Sequence, residues 1–264
     1  MCKIKLVATD MDGTLLNNQK ELPKDFHDWV RKHDNVVTVI ASGRQYYSVK
    51  DLMIPIHDRL TYIADNGAVI THNDEIIYTD GISTEDANRC LDVVEKMPYA
   101  KALVCCVNSA YIENPTEHQW EICSTYNLKI KKTDNVRKEI ENDTVVKIAI
   151  YYQEADAEKH IGEYAGLPEK TKYVLSGVSW IDISSNTVSK GTALKVIQEK
   201  FGVKKEECIA FGDYLNDVDL LEACGESYCM KNSHPDVFLH AKYIAPSNDE
   251  DGVMQILKSG KYEF

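Results

Sequence analysis

The chain has 264 residues, of which 44% are hydrophobic and 27% charged, a composition typical of globular proteins with one large or two smaller domains. Its formal net charge of −12 repels nucleic-acid phosphates and anionic lipid head groups, so we expect neither nucleic acid nor a membrane as a partner. No apolar run approaches the roughly 20 residues of a membrane-spanning helix. Lys3 and Lys5 interrupt the first apolar run, so we expect no signal peptide and a cytoplasmic location.

The eight cysteines form no C-x-x-C pair, and several lie inside apolar runs such as residues 103–107. Buried thiols in a reducing compartment are therefore the simplest interpretation, without disulfides. A chain of this length buries a core without disulfides or structural metals.

Strands and helices alternate in the first third of the sequence. The predicted elements are a strand at Ile4–Ala8, a helix at Leu22–His33, a strand at Val36–Ala41, a helix at Tyr46–Met53 and a strand at Tyr62–Ala64. The strands are apolar and rich in β-branched residues, as expected for buried parallel strands. Strands that alternate with helices indicate a parallel sheet joined by crossover helices.

The last third of the sequence repeats this alternation. Its predicted elements are a helix at Lys190–Phe201 ended by Gly202, a strand at Cys208–Phe211, a helix at Asn216–Cys224, and strands at Ser227–Met230 and Tyr243–Ala245. The two ends of the chain therefore share one pattern, and we predict one α/β domain from residues 1–82 and 186–264.

The middle of the sequence, residues 83–185, shows a different pattern. It contains helices at Glu85–Met97, Thr116–Tyr126 and Ala155–Ala165, and strands at Lys101–Val107, Thr144–Tyr152, Tyr173–Leu175 and Val178–Ile183. Adjacent pairs of strands are typical of an antiparallel sheet, with helices on one face. We therefore predict a second α/β (α+β) domain inserted into the first.

Polar and charged residues follow the ends of several predicted strands. Asp10 and Asp12 follow the first strand, Ser42-Gly43 the second, and residues 212–217 a late one. Ligands bind beyond the carboxyl ends of parallel strands, and a hydroxyl beside an accessible backbone N–H suits a phosphate oxygen. Lys190, at a helix start, could add positive charge. For Asp10 and Asp12 alone, a solvated acidic turn is the alternative.

Taken in order, these motifs resemble the haloacid dehalogenase superfamily of aspartyl phosphatases, specifically the Cof-type members with a large inserted cap (type IIB). The resemblance covers the whole chain and rests on Asp10-Met11-Asp12-Gly13-Thr14-Leu15, Ala41-Ser42-Gly43-Arg44, Lys190-Gly191, Gly212-Asp213-Tyr214-Leu215-Asn216-Asp217 and Asn248-Asp249-Glu250-Asp251-Gly252-Val253. The sequence departs from the family pattern at Tyr214 and over residues 229–233, which affects the expected substrate more than the chemistry. The resemblance implies a Rossmann-like, doubly wound core with residues 83–185 as its cap.

The resemblance also implies a Mg²⁺-dependent phosphatase that acts on a small phosphorylated metabolite, such as a sugar phosphate. Asp10 would be the nucleophile that forms an aspartyl-phosphate, and Asp12 the general acid and base. The implied Mg²⁺ ligands are a carboxylate oxygen of Asp10, the backbone carbonyl of Asp12 and Asp213, while Asp217 would orient a water or Lys190. The implied phosphate ligands are the Met11 N–H, Ser42, the Gly43 N–H, Lys190 and Asn216.

Several alternatives remain open at this point. Arg44 either contacts the substrate or pairs with a surface acid, and the Asn66-Gly67 turn either lines the site or is purely structural. A phosphomutase would use the same nucleophile, a phosphoacceptor module would not be an enzyme, and a scaffold would be inactive. The sequence indicates a small-molecule substrate and no obligate protein partner.

Overall fold

A computed structural model describes residues 3–264, with residue 126 described by its backbone alone. The described residues divide into two compact units, one ending at Tyr78 and resuming over Ser189–Phe264, the other formed by Thr79–Val188. The sequence analysis placed the boundaries at residues 83 and 185. That the second unit serves as a cap stays a prediction.

Strands and helices alternate along the chain. The strands are β1 (Leu6–Asp10), β2 (Val37–Ala41), β3 (Leu60–Ala64), β4 (Val69–His72), β5 (Glu75–Thr79), β6 (Ala100–Cys106), β7 (Ala110–Glu113), β8 (Ile130–Thr133), β9 (Val145–Tyr152), β10 (Thr171–Gly177), β11 (Trp180–Ser185), β12 (Cys208–Gly212), β13 (Glu226–Met230) and β14 (Tyr243–Ala245). The α-helices are α1 (Phe26–Lys32), α2 (Tyr46–Leu52), α3 (Thr84–Val94), α4 (Glu117–Tyr126), α5 (Val136–Glu139), α6 (Lys190–Phe201), α7 (Val218–Glu222) and α8 (Gly252–Leu257). Within residues 3–264 no helix is long and apolar enough to cross a membrane.

The first unit contains an eight-stranded sheet in the order β14-β13-β12-β1-β2-β3-β4-β5. The strands from β14 to β3 are parallel, and β4 pairs antiparallel with β3. The chain moves outward from β1 to β3 and later returns to the other side of β1 at β12. The strand order thus reverses between β1 and β12, which is where open α/β sheets bind their ligands.

Both faces of this sheet are covered, as the alternating side chains of β1 show. Leu6 and Ala8 belong to one buried cluster, with residues of α6 and α7 such as Leu194. Val7 belongs to another, with Trp29 of α1 and residues of α8. Helices on both faces confirm the predicted doubly wound, Rossmann-like core.

The second unit contains a six-stranded sheet in the order β10-β11-β9-β6-β7-β8. Its strands pair antiparallel, except that β7 and β8 are parallel. Ile148, Ile150 and Tyr152 pack in one core with buried residues of α3. Tyr151 faces the other side, where its hydroxyl lies 3.1 Å from His118 Nε2 of α4. The expectation of helices on one face only was therefore wrong.

The structure differs from the sequence prediction in a few other places. The segment predicted as an α-helix at residues 155–165 is a 3-10 helix at Ala157–Tyr164. The prediction missed β4, β5, β7, β8, α5 and α8. The cysteines within residues 3–264 form no disulfide, and Cys2 lies outside the described residues.

Candidate active site

A buried lysine between two carboxylates forms the centre of the site. Asp10 ends β1, and Lys190 begins α6 directly after the N-cap Ser189. Lys190 Nζ donates to Asp10 Oδ1 and to Asp217 Oδ1, each at 2.6 Å. Lys190 is 1% exposed, Asp217 0% and Asp10 6%. Buried charges persist in proteins when they are paired in this way.

The charges of these groups are strongly coupled. Burial raises the pKa of Asp10 well above its usual range, the negative charge of Asp217 raises it further, and Lys190 acts in the opposite direction. Burial would lower the pKa of Lys190, but the attraction to Asp10 and Asp217 outweighs it and raises that pKa. The lysine therefore stays an ammonium ion, and the negative charge here exceeds the positive charge.

The loop after β12 supplies Asp217 and a further carboxylate, Asp213, with distinct surroundings. Asp217 Oδ2 accepts hydrogen bonds from the N–H groups of Asp213 and Tyr214, at 3.0 and 3.1 Å. Asp213 Oδ1 accepts one from Thr14 Oγ1 at 2.9 Å. Burial, together with the negative charge of Asp217, raises the pKa of Asp213 to about 6. Gly13 allows this approach, because a Cβ there would lie 2.4 Å from Asp213 Oδ2.

These carboxylates fit a hard divalent cation. Oxygen atoms of Asp10, Asp213 and Asp217 all lie within 4.8 Å of one another, and Mg²⁺ prefers oxygen ligands. Both oxygens of Asp217 already accept hydrogen bonds. Among the described residues, none donates a hydrogen bond to Asp10 Oδ2 or Asp213 Oδ2. Asp10 and Asp213 therefore each keep an oxygen for a direct metal contact, whereas both oxygens of Asp217 contact Lys190 and the loop; the metal roles of these residues stay predictions.

Asp12 lies in a cationic environment. Arg44 binds its carboxylate with two hydrogen bonds, Nε to Oδ2 at 2.8 Å and Nη2 to Oδ1 at 2.5 Å, and Lys20 Nζ donates to Oδ1 at 2.8 Å. Burial raises the pKa of Asp12, but the hydrogen bonds from Arg44 and then Lys20 outweigh it and hold the pKa below its usual range. From the sequence, Arg44 either contacts the substrate or pairs with a surface acid. The structure shows that it pairs with an acid, and that this acid is Asp12. Contact of Arg44 with a phosphate stays a prediction.

The remaining predicted phosphate ligands lie at the same edge of the sheet. Ser42 directly follows β2, and its Oγ accepts a hydrogen bond from the Arg44 N–H at 3.1 Å. Gly43 follows Ser42, and the exposed Asn216 lies in the loop after β12. The Met11 side chain is buried in the core, so only its backbone could contact a ligand. The roles of these residues toward phosphate stay predictions.

The sequence analysis did not assign several residues that brace the site. Asn232 Nδ2 donates to the Gly13 carbonyl at 2.8 Å, and the His234 N–H donates to the Asp213 carbonyl at 2.9 Å. Lys20 was also not assigned, and Thr14 was named only as part of the first motif. Signals therefore existed for Thr14 and for Asn232, which lies in the segment recognised as departing from the family pattern.

The comparisons with known proteins agree with this geometry. A model of the haloacid dehalogenase-like hydrolases matches residues 7–257. The chain belongs to this family. It is 26% identical to the 5-amino-6-(5-phospho-D-ribitylamino)uracil phosphatase YbjI of Escherichia coli, over 96% of this chain and 95% of YbjI. It is 24% identical to the phosphatase YwpJ of Bacillus subtilis, over 97% and 99%.

Solved structures show the same fold along nearly the whole chain. A haloacid dehalogenase-like hydrolase from Bacteroides thetaiotaomicron superimposes with a TM-score of 0.85 at 24% identity, covering 97% of this chain and 99% of that one. The subclass IIB sugar phosphatase BT4131 gives a TM-score of 0.79 at 22% identity, covering 97% and 98%. The resemblance identified from the motifs is thus confirmed, and the protein is an enzyme of the phosphatase branch of this hydrolase family.

Proposed function

We propose that this hydrolase is a Mg²⁺-dependent phosphatase that cleaves a small phosphorylated metabolite through an aspartyl-phosphate on Asp10. The observation that carries the proposal is the buried Asp10–Lys190–Asp217 arrangement beside Asp213. The named relatives include enzymes acting on a phosphoribityl-aminouracil and on sugar phosphates. A sugar phosphate or a similar phosphorylated polyol is therefore the proposed substrate class.

Asp10 is suited to nucleophilic attack because Lys190 holds only one of its oxygens. One carboxylate oxygen of Asp10 attacks phosphorus in line, the bond from phosphorus to the ester oxygen breaks, and the leaving oxygen departs with the electron pair. The other oxygen of Asp10, Asp213 and the Asp12 carbonyl would hold a Mg²⁺, which would supply the positive charge that lets an anionic carboxylate approach a phosphate. Two of the three ammonium hydrogens of Lys190 are used, which leaves one for a phosphoryl oxygen.

Asp12 is the proposed proton donor and acceptor. It protonates the leaving oxygen in the first step and then takes a proton from the water that attacks the phosphoenzyme. In this structure its carboxylate is paired with Arg44 and Lys20, which lower its pKa, so the acid role requires that these contacts are released when the substrate binds. The Met11 and Gly43 N–H groups, Ser42 and Asn216 are the proposed donors to the phosphoryl oxygens.

We also propose, from the family resemblance alone, that the second unit acts as a cap that selects the leaving group and excludes water. A substrate screen identifies the phosphate ester that is cleaved.

The decisive experiment is a screen of phosphorylated metabolites with Mg²⁺, measuring free phosphate. We expect Asp10→Asn to lower kcat by at least about 10³-fold, because an amide is a poor nucleophile. EDTA should inactivate the wild-type enzyme, and Mg²⁺ should restore it. Asp28→Asn is the matched control, since Asp28 forms an exposed pair with Arg31 on α1.

Other outcomes would redirect the proposal. Substantial activity of Asp10→Asn, with its circular dichroism spectrum unchanged, would exclude Asp10 as the nucleophile. Formation of an isomeric sugar phosphate without free phosphate would indicate a phosphomutase. Phosphoenzyme that accumulates in Asp12→Asn, located on Asp10 by mass spectrometry, would support the two-step route.

A further inference from the structure

The turn after β3 has an unusual backbone. Asp65, Asn66 and Gly67 follow one another with φ angles of 47°, 58° and 110°. Non-glycine residues adopt positive φ rarely, and such strain persists only where the surrounding structure imposes it. The sequence analysis left open whether this turn is structural or part of the site.

The turn is tied to the loop after β2 by backbone hydrogen bonds. The Asp65 N–H donates to the Arg44 carbonyl and the Asn66 N–H to the Ser42 carbonyl, both at 3.0 Å. Gly43 lies between these two acceptors. A Cβ on Gly43 would lie 3.0 Å from Asn66 Oδ1, so the Asn66 amide packs directly against Gly43.

The turn also contacts the start of α6. A Cβ on Gly67 would lie 2.2 Å from the Ser189 carbonyl oxygen and 3.1 Å from the Lys190 nitrogen. Only glycine allows so close an approach of two backbones. The turn therefore fixes the backbone from which Lys190 extends toward Asp10.

Asn66 completes the set of contacts through its side chain. Its Oδ1 accepts a hydrogen bond from Asn216 Nδ2 at 3.0 Å. Among the described residues, this is the one hydrogen bond recorded for the exposed Asn216 side chain. A single turn thus touches three segments that carry proposed phosphate ligands, namely Ser42-Gly43, Lys190 and Asn216.

We propose that Asn66 is a positioning residue, whose side-chain carbonyl fixes the Asn216 amide so that its second hydrogen is directed at a phosphoryl oxygen. The inference rests on the proposed function, because Asn216 is a phosphate ligand only within it. Glycine would satisfy the backbone at this position but has no amide, whereas asparagine both tolerates positive φ and supplies the acceptor. A purely structural turn would not need the amide.

The test removes the amide and keeps the backbone. Asn66→Gly is compared with the wild type and with Asn73→Gly, because Asn73 also has positive φ, 52°, but lies in the turn between β4 and β5. The competitive inhibition constant of inorganic phosphate is measured against an aryl phosphate with Mg²⁺. We expect it to rise about 5- to 10-fold in Asn66→Gly, as for one lost hydrogen bond, and to stay unchanged in Asn73→Gly.

A double-mutant cycle separates positioning from general loss of structure. If Asn66 acts through Asn216, Asn66→Gly changes the constant less than about twofold in an Asn216→Ala background. The inference is overturned if the effects of Asn66→Gly and Asn216→Ala on the inhibition constant multiply in the double variant. It is also overturned if the constant is unchanged in Asn66→Gly. If the wild type hydrolyses no phosphate ester, the proposed function fails by itself, and calorimetric titration of the same variants with phosphate then decides the role of Asn66.

Discussion

Asp213 is ionised at neutral pH at an energetic cost. Burial and the negative charge of Asp217 raise its pKa to about 6, against roughly 3.9 for an exposed aspartate. A carboxyl group whose pKa rises on folding binds its proton more tightly in the folded state. Stability therefore falls as the pH rises from about 4 to about 6, and the whole cost is present above that range.

We predict that Asp213→Asn stabilises the metal-free protein at pH 7, by roughly 1–3 kcal/mol for a shift of this size. In the wild type the Thr14 hydroxyl donates to Asp213 Oδ1, and the asparagine keeps a side-chain oxygen that accepts the same hydrogen bond. Thermal unfolding in EDTA checks the prediction, and the gain should vanish at pH 4. Mg²⁺ should raise the Tm of the wild type but not that of the variant. Equal Tm values in EDTA at pH 7 would show that Asp213 carries no such cost.

Two roles of Arg44, positioning Asp12 and binding the phosphate, can be distinguished by changing the leaving group of the substrate. If Arg44 positions Asp12, Arg44→Ala should affect esters that need a proton donor, such as sugar phosphates. The aryl oxide of an aryl phosphate departs with little need for a proton. We therefore expect Arg44→Ala to lower kcat/KM about tenfold less for an aryl phosphate than for a sugar phosphate. Arg31→Ala is the control, because Arg31 forms a surface pair on α1. Equal losses for both substrates would instead support Arg44 as a phosphate ligand.

For single residues, the sequence was sufficient to predict those that belong to compact motifs. It did not predict contacts between distant segments. Asp10, Lys190 and Asp213 were predicted to lie at one edge of the sheet because each ends or follows a strand or begins a helix, and the structure brings them together; their roles stay predictions. Asn66 and Asn216 are 150 positions apart, and nothing in either segment indicates that they meet. Lys20 was missed for a similar reason, since its contact with Asp12 depends on how the intervening loop folds back.

Among the elements, α6 matches its prediction from Lys190 to Phe201, because its signals are local. Ser189 and Thr192 form a capping box, and Gly202 ends the helix with φ of 65°. The hairpin of β4 and β5 was missed because its strands are short and β5 has no buried residue.

Gly191, at the start of α6, packs closely against Asp219 of α7. A Cβ on Gly191 would lie 2.4 Å from the Asp219 carbonyl oxygen. Alanine normally favours a helix, but here we expect Gly191→Ala to destabilise the protein by about 1–3 kcal/mol through overpacking. Because Lys190 is adjacent, kcat should fall as well.

Gly162→Ala provides the control for this substitution. Gly162 lies in the 3-10 helix of the second unit, and a Cβ there would meet no atom within 4 Å. Thermal unfolding and phosphate release are measured for both variants. If Gly191→Ala unfolds at the wild-type temperature and keeps its kcat, the contact does not constrain α6.

At the scale of the whole molecule, each unit has a core of its own. Two buried clusters consist of residues of the first unit, and a third consists of residues from Ile82 to Ile183. The ends of the second unit meet within that unit, because Thr187 Oγ1 donates to Asp80 Oδ2 at 2.6 Å. A segment with its own core and adjacent ends has the properties of an independently folding domain.

We therefore predict that residues 79–188 fold when expressed alone. The fragment should unfold cooperatively on heating and give a dispersed NMR spectrum, but it should release no phosphate, since Asp10, Lys190 and Asp213 lie outside it. Ile148→Ala tests whether its core is the native one, because Ile148 is 0% exposed in that cluster and its truncation should cost about 2–5 kcal/mol. A disordered fragment, or one insensitive to Ile148→Ala, would show that the second unit depends on the first for its structure. Cooperative folding would show that the second unit is an autonomous segment, separate from β1, β12 and α6, which carry the proposed catalytic residues.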